Sequence, residues 1–438
     1  MTNCIPKSFN FQVLKKRKIV AEFSGGSVTS DAGGLLLREA DRRLNLLEPL
    51  AKLFPDGRDQ SRVQYSMLTM LRQRVFGIAL GYEDLNDHDT LRNDVAIQTI
   101  VGSDTKLASS PTLCRFENAA NRSVAWDIHK QMVETFIASY DKKIPEELIL
   151  DFDATDDLIH GEQEGRYFHG YYGNYCFLPL YVFCGKQLLV SYLRTSNKDG
   201  ARHAWAILSL LVRRLRQTWP NVKIIFRGDG GFCRHQMLTW CEKKGMFYVV
   251  GTARNKRLEA LLQPHMEKAE NDFESTKIKQ RSFVELRYTA ASWSCERKII
   301  GKAEYTDKGS NPRFIVTNLS GDPQYLYDVM YCGRGDMENR IKEMQLGLFS
   351  DRTSCHDWWA NQFRMLLSAL AYILMEYLRR ITLAGTEFAT AQMSTIRLRL
   401  FKIGAIVIRN TRSIRFLMSS HFPLQNLFTT IFVKLASP

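Results

Sequence analysis

The sequence predicts an α/β protein: a mixed sheet flanked by helices, preceded by a mainly helical domain and interrupted by a β-rich insertion. Three observations predict it. Short, apolar, β-prone runs cluster between residues 148 and 251 and alternate there with helical stretches. Helical periodicity dominates residues 1–140. Period-two alternation returns between residues 252 and 322 before helical spacing resumes.

Residues 1–24 read as an extended arm, and Gly25, Gly26, Gly33 and Gly34 punctuate the stretch leading to the first helix. Leu35 to Leu46 has helical periodicity with charges of both signs (Arg38, Glu39, Asp41, Arg42, Arg43). Gln64 to Leu80 is a stronger helix, with Leu68, Leu71, Val75 and Ile78 at core spacing. Ser109-Ser110-Pro111-Thr112 opens another, because capping hydroxyls and a proline in the first turn mark a helix start. That helix carries Arg115 and Asn118, and it reads either as a capped surface helix or as one lying in a DNA groove. Residues 1–140 are therefore expected to be a mainly helical DNA-binding domain.

The texture changes at residue 148. Leu148–Asp153, Leu178–Cys184 and Gln187–Leu193 read as strands, Ala201–Gln217 as a helix, Val222–Arg227 as a strand, His235–Lys244 as a helix and Met246–Gly251 as a strand. That order, beginning with a three-strand meander, is the order of an RNase H-like sheet. This core is expected over residues 145–251 and 323–385, the second part supplying helices at Tyr325–Leu346 and Trp358–Leu378. Alternation at Val284–Tyr288, Lys298–Ile300 and Arg313–Thr317 makes residues 252–322 an inserted β-rich subdomain. Residues 386–438 form a basic C-terminal segment; from 388 onward it has seven Lys and Arg and no Asp or Glu. It reads as an amphipathic cap or as a segment lying along DNA.

Composition narrows the partners. The 438 residues are 45% hydrophobic and 24% charged, which excludes a disordered chain. A net charge of +14 points to a polyanion. Nine cysteines without a Cys-x-x-Cys pair argue against a disulfide framework or a zinc knuckle and for reduced thiols in a cytoplasm. No signal-peptide pattern is present, and the apolar run Met365–Met375 is too short to span a bilayer, so no membrane partner is expected.

Three carboxylates carry the chemistry. Asp153 ends the apolar run from Leu148, and Asp229 ends the run from Val222. In open α/β sheets, ligands bind beyond the carboxyl ends of the strands. Asp151 competes with Asp153, because residues two apart on a strand share a face, and spacing alone leaves both open. Asp229 sits in Arg227-Gly228-Asp229-Gly230-Gly231-Phe232, where the glycines allow close approach of backbone or metal. Tyr331, Arg334, Glu338 and Lys342 succeed one another by three, four and four, so on a helix they share a face. That face reads equally as a salt-bridged solvated surface or as one where Glu ligates metal while Arg and Tyr hold a phosphate. Three converging carboxylates can hold two divalent cations about 3.5–4 Å apart, the arrangement that stabilises the attacking and leaving oxygens of phosphoryl transfer.

These motifs resemble those of bacterial insertion-sequence transposases of the DDE superfamily, in particular insertion-sequence family 1380. Asp153-Ala154-Thr155 is similar to the first-strand Asp-x-Thr of those enzymes. The segment Arg227 to Phe232 resembles their second motif, with Gly230 where Ser often stands, and Tyr331-x2-Arg334-x3-Glu338 their Tyr-Arg-Glu signature. The signature's final Lys is replaced here by Gln345, and Lys342 is the substitute at hand. His169-Gly170-Tyr171-Tyr172, His203-Ala204-Trp205 and Asp351 to His356 also resemble family text.

The resemblance implies Mg²⁺ (two ions per site, replaceable by Mn²⁺) held by Asp153, Asp229 and Glu338. It implies nicking at the element's terminal inverted repeats, joining of the freed 3′-hydroxyl to target DNA, and a homodimer that handles two ends together. It also implies DNA contacts by Tyr331, Arg334 and Lys342. An aromatic residue of the insertion would stack on a flipped base, and Trp293 is the candidate; on its own pattern it reads as a packed sheet tryptophan. Competing functions are an RNase H-like nuclease or resolvase that does not join strands, and a non-catalytic DNA-binding protein.

Overall fold

The computed structural model describes residues 8–141 and 143–436. The chain forms two compact units: Asn118–Ile373, and Met1–Glu117 with Leu374–Pro438. No helix among the described residues is long and apolar enough to cross a membrane, and all eight described cysteines are free.

The unit Asn118–Ile373 is built on a nine-stranded mixed sheet. Its main strands are β1 (Glu147–Ala154), β2 (Leu180–Cys184), β3 (Gln187–Tyr192), β4 (Lys223–Gly228), β5 (Phe247–Thr252), β6 (Gln280–Tyr288), β7 (Arg297–Thr306) and β8 (Arg313–Thr317). They lie in the order β6-β7-β8-β5-β4-β1-β2-β3, and the short strand Gly309–Ser310 pairs with β7. Strands β1, β4 and β5 are parallel. The meander β1-β2-β3 is antiparallel, as the sequence order implied.

Alternation along each strand separates two faces. Leu148, Leu150 and Phe152 of β1, with Ile224 and Phe226 of β4, lie in one core cluster. Helices α1 (Arg122–Ala138), α2 (Ala204–Thr218), α3 (His235–Lys243) and α4 (Lys256–Thr276) contribute to that cluster. Ile149 of β1 and Ile225 of β4 pack instead with Leu326, Tyr327, Met330 and Tyr331. Asp151, Asp153 and Arg227 share that second face by the period-two rule, and Asp229 lies two residues past Arg227 at the end of β4.

The segment over the second face is helical but uneven. A π-helical stretch, Leu326–Tyr331, leads through a 3₁₀ turn, Cys332–Arg334, into α5 (Gly335–Lys342), and a second π-helical stretch covers Glu343–Gly347. Such interruptions of α-helix often mark functional sites. The long helix α6 (Trp358–Thr382) comes next, and the division between the two units falls within it.

Residues 252–322, expected as an inserted β-rich subdomain, begin with the 21-residue helix α4, and their strands extend the central sheet through the β5–β8 pairing. Helix α4 forms because Asn255 caps its first turn, accepting from the Arg257 and Leu258 amides, and because Leu258, Leu262, Met266 and Ala269 recur at helical spacing. Residues 386–438, the basic C-terminal segment, belong to one unit with residues 1–117. Arg397 donates to the carbonyls of Ile78 and Ala79 at the end of the helix Met67–Leu80, and Lys402 pairs with Asp31 at 2.6 Å. The strand Ala405–Arg409 joins Val28–Thr29 and Ile414–Met418 in a small sheet. Four of the basic residues of this segment therefore act as internal ties, since Arg409 also donates to the Asp104 carbonyl and Lys434 to the Thr382 carbonyl.

Candidate active site

Strand geometry brings the first two acids together. In the parallel register, Arg227 of β4 lies beside Asp151 of β1, and Gly228 beside Phe152. Asp153 and Asp229 extend the same two rows by one step each. Asp229 caps the 3₁₀ turn Gly230–Phe232, its Oδ1 accepting from the Gly231 amide at 2.9 Å. Asp153 Oδ1 accepts from the Ala154 amide at 3.0 Å.

Glu338 reaches the site from α5. Arg334 lies between it and the strand: the Arg334 guanidinium is 2.9 Å from Glu338 Oε1 and 3.4 Å from Asp153 Oδ2. The expected three-then-four spacing thus puts Arg334 and Glu338 on one helical face. Tyr331 is half-buried, and its hydroxyl covers Gly251 so closely that a Cβ there would stand 2.6 Å from it and 2.9 Å from the Gly230 amide nitrogen. Burial raises the Tyr331 hydroxyl above its ordinary range, against the pull of Arg334 and with Asp229 adding to the rise.

The electrostatics are those of a negatively charged cleft. Burial pushes the Asp153 carboxyl up to about 7; Arg334 opposes the rise, and Asp229 and Glu338 add to it. Desolvation pulls the Arg334 guanidinium down, but Asp153, Tyr331, Glu338 and Asp229 together hold it above its ordinary value. The oxygen donors of Asp153, Asp229 and Glu338 are of the kind that Mg²⁺ or Mn²⁺ takes. In the arrangement described, the guanidinium stands between Asp153 and Glu338, and no three acidic, His or Cys side chains among the described residues approach closely enough to hold one ion in common.

Asp151, left open beside Asp153 by spacing, has a different environment. It is 3% exposed and forms a two-pronged pair with Arg227, Oδ2 accepting from Nη2 at 2.7 Å. The third arm of Arg227, Nη1, donates to the Met330 carbonyl at 2.7 Å. This pair therefore joins β1, β4 and the segment that leads to Glu338. Sequence reasoning gave Arg227 no role; the signal was its place in register with Asp151, visible only once the two strands are paired.

The remaining candidates divide. Lys342 is exposed on α5. Gln345, standing where relatives have Lys, donates from Nε2 to the Asp156 carbonyl at 3.0 Å and so braces the loop after Asp153. Gly230 leaves room for the Ser of relatives, since a Cβ there would meet nothing closer than 3.8 Å. Trp293 lies in the β6–β7 connection, edge-on to Tyr288 with ring centroids 5.5 Å apart, and the Arg297 guanidinium stacks on it at 5.1 Å. It is packed against the core of the sheet, away from the acids in sequence and in its contacts.

The chain matches the family described as Transposase DDE domain group 1 over residues 11–437, and it belongs to that family. No curated protein matches it. Among solved structures it is similar to a cryo-EM structure of a piggyBac transposase synaptic complex with hairpin DNA, at 9% identity and a TM-score of 0.42, covering 94% of this chain and 83% of that one.

Proposed function

We propose that this DDE transposase-family protein cleaves DNA strands at the ends of a mobile element and joins the freed 3′-hydroxyls to target DNA, with Asp153, Asp229 and Glu338 as its catalytic acids. The observation that carries the reading is Arg334, whose guanidinium stands 3.4 Å from Asp153 Oδ2 and 2.9 Å from Glu338 Oε1, with Asp229 at the end of the strand beside that of Asp153. The strand order β3-β2-β1-β4-β5, with β1, β4 and β5 parallel, supports an RNase H-like core for it. Motif text supports a place in insertion-sequence family 1380.

Asp153, Asp229 and Glu338 would hold Mg²⁺ or Mn²⁺. When bound, two such ions supply charge stabilisation to the attacking and leaving oxygens of the phosphoryl transfer. A carboxyl raised to about 7 by burial and acidic neighbours marks a site short of positive charge. Arg334 offsets part of that deficit. Its guanidinium can also hold a DNA phosphate in a two-pronged contact, which releases the carboxylates it now bridges. Tyr331 packs its hydroxyl over Gly251, the strand residue beside the second motif. Lys342, exposed on the same helix, adds a point charge for the DNA backbone. No protein nucleophile is required. Two ends must be held together, which favours a homodimer.

The test is nicking of a DNA fragment carrying the ends that bracket this reading frame, in Mg²⁺. Asp229→Asn should fold and bind the ends without nicking them; retained nicking removes Asp229 from the site. A strand-transfer assay with pre-cleaved ends separates this function from that of a nuclease or resolvase, which would give no joined product.

A further inference from the structure

Beyond Asp153 the chain builds a small aromatic hairpin that the proposed chemistry does not use. Asp157–Leu158 pairs with Asn174–Phe177, which pairs in turn with Tyr167–His169. The hairpin thus begins four residues after the first catalytic acid. Its base is fixed: the Glu164 amide donates to the His356 carbonyl, and the Gln163 side chain donates to the Thr353 carbonyl. On one face Cys176 is fully buried, while Tyr167 across from it is 44% exposed.

The other face is aromatic and open. Phe168 and Tyr175 stand directly across from each other, with ring centroids 5.6 Å apart, and are 56% and 45% exposed. The Arg166 guanidinium stacks on Tyr175 at 4.0 Å. At the tip, Tyr171 is 87% exposed and stands edge-on to Tyr172 at 5.0 Å. Burial pushes the Tyr172 hydroxyl up to about 12, with Asp156 and then Asp153 adding to the rise, so the tip feels the charge of the first acid. Aromatic rings exposed in a row cost solubility and are kept where something covers them.

We propose that this hairpin is a stacking platform for unpaired bases of the DNA strand next to the scissile phosphate, with Tyr171 and Phe168 as the base-contacting rings and Arg166 holding the Tyr175 face. Flat rings with a stacked guanidinium suit bases of any sequence, because every base has a π-face. Continuity with the acid cluster selects the occupant: a strand held at Asp153 passes the hairpin tip. The role differs from that expected of Trp293, which the fold packs against Tyr288 and Arg297. The inference rests on the proposed DNA chemistry of this same site.

The test uses the full chain and two DNA probes, a blunt duplex and the same duplex with a short unpaired overhang carrying 2-aminopurine. The doubly substituted Tyr171→Ala, Phe168→Ala protein should lose roughly five- to a hundredfold in overhang affinity and the quenching of the probe. Its affinity for the blunt duplex should not change, and Tyr171→Phe alone should behave as wild type. Equal losses on both probes, or no loss on the overhang, would overturn the proposal. So would a changed sedimentation mass with unchanged overhang binding, which would make the face a contact between copies of the chain. A wild-type protein that nicks DNA normally while the substituted protein holds the overhang as before sinks the platform alone. A wild-type protein that binds neither probe sinks the DNA reading as well.

Discussion

Asp151 and Asp153 lie two residues apart on one strand, face the same way, and each meets an arginine; yet the two pairs differ in every energetic respect. Asp151 and Arg227 are both more than nine-tenths buried, the carboxylate is gripped by two nitrogens, and the third donor is spent on the Met330 carbonyl. Asp153 and Arg334 make one long contact of 3.4 Å, and Arg334 is shared with Glu338. A buried, two-pronged pair is structural: its charges answer each other away from water, and little of either group is open to a ligand. An unsaturated pair at the mouth of a strand can exchange partners. The same residue types therefore take a fixed or an exchangeable role according to burial and the number of hydrogen bonds left over.

The largest effect should come from breaking the closed pair on one side. Arg227→Met leaves Asp151 buried without its partner and should cost about 3–5 kcal/mol in chemical denaturation. Replacing both, Arg227→Met with Asp151→Leu, should recover most of that loss, because the penalty lies in the orphaned charge. A single substitution that proves harmless would contradict the structural role.

Burial should also govern protonation elsewhere. In the unit of residues 1–117 and 374–438, burial, with Arg74 adding, lowers His88 to about 3. The unfolded chain, with a His pKa near 6.5, then binds more protons than the folded one between these values, so stability is complete above pH 6.5 and falls as pH drops. Denaturation at pH 7 and pH 5 should differ by about 2 kcal/mol from this group, and His88→Gln should flatten that slope.

Gly333 sharpens the comparison further. A Cβ at this position would stand 2.8 Å from Arg227 Nη1, which its two partners hold in place. Gly333→Ala should cost roughly 1 kcal/mol, measured the same way. The open pair should lose nothing. Asp153→Asn removes a carboxylate whose charge burial disfavours, so the fold should keep or gain stability.

How far the sequence told this in advance depends on how local the cause is. Glycine-flanked Asp229 and the spacing of Arg334 and Glu338 are local signals; Asp229 stands just past the end of β4, and Arg334 pairs with Glu338 one helical turn on. The strand meander was likewise visible in short apolar runs. The different surroundings of Asp151 and Asp153 were not, because Asp151 is paired by Arg227, 76 residues away along the chain. Helix α4 was overlooked because Pro264 interrupts its sequence and its apolar stripe is narrow, although Asn255 supplies a cap. The basic C-terminal segment read as a cap or a DNA-binding tail; the ties of Arg397 and Lys402 to residues 78, 79 and 31 are long-range and leave no local trace.

The division of labour between the two aspartates can be measured directly by comparing Asp151→Asn and Asp153→Asn in parallel for denaturation midpoint and for Mg²⁺-dependent nicking of the element ends. Asp151→Asn should lose stability, and Asp153→Asn should keep or exceed the wild-type midpoint while losing nicking. An Asp153→Asn protein that nicks at the wild-type rate, with Asp151→Asn stable and inactive, would contradict that division.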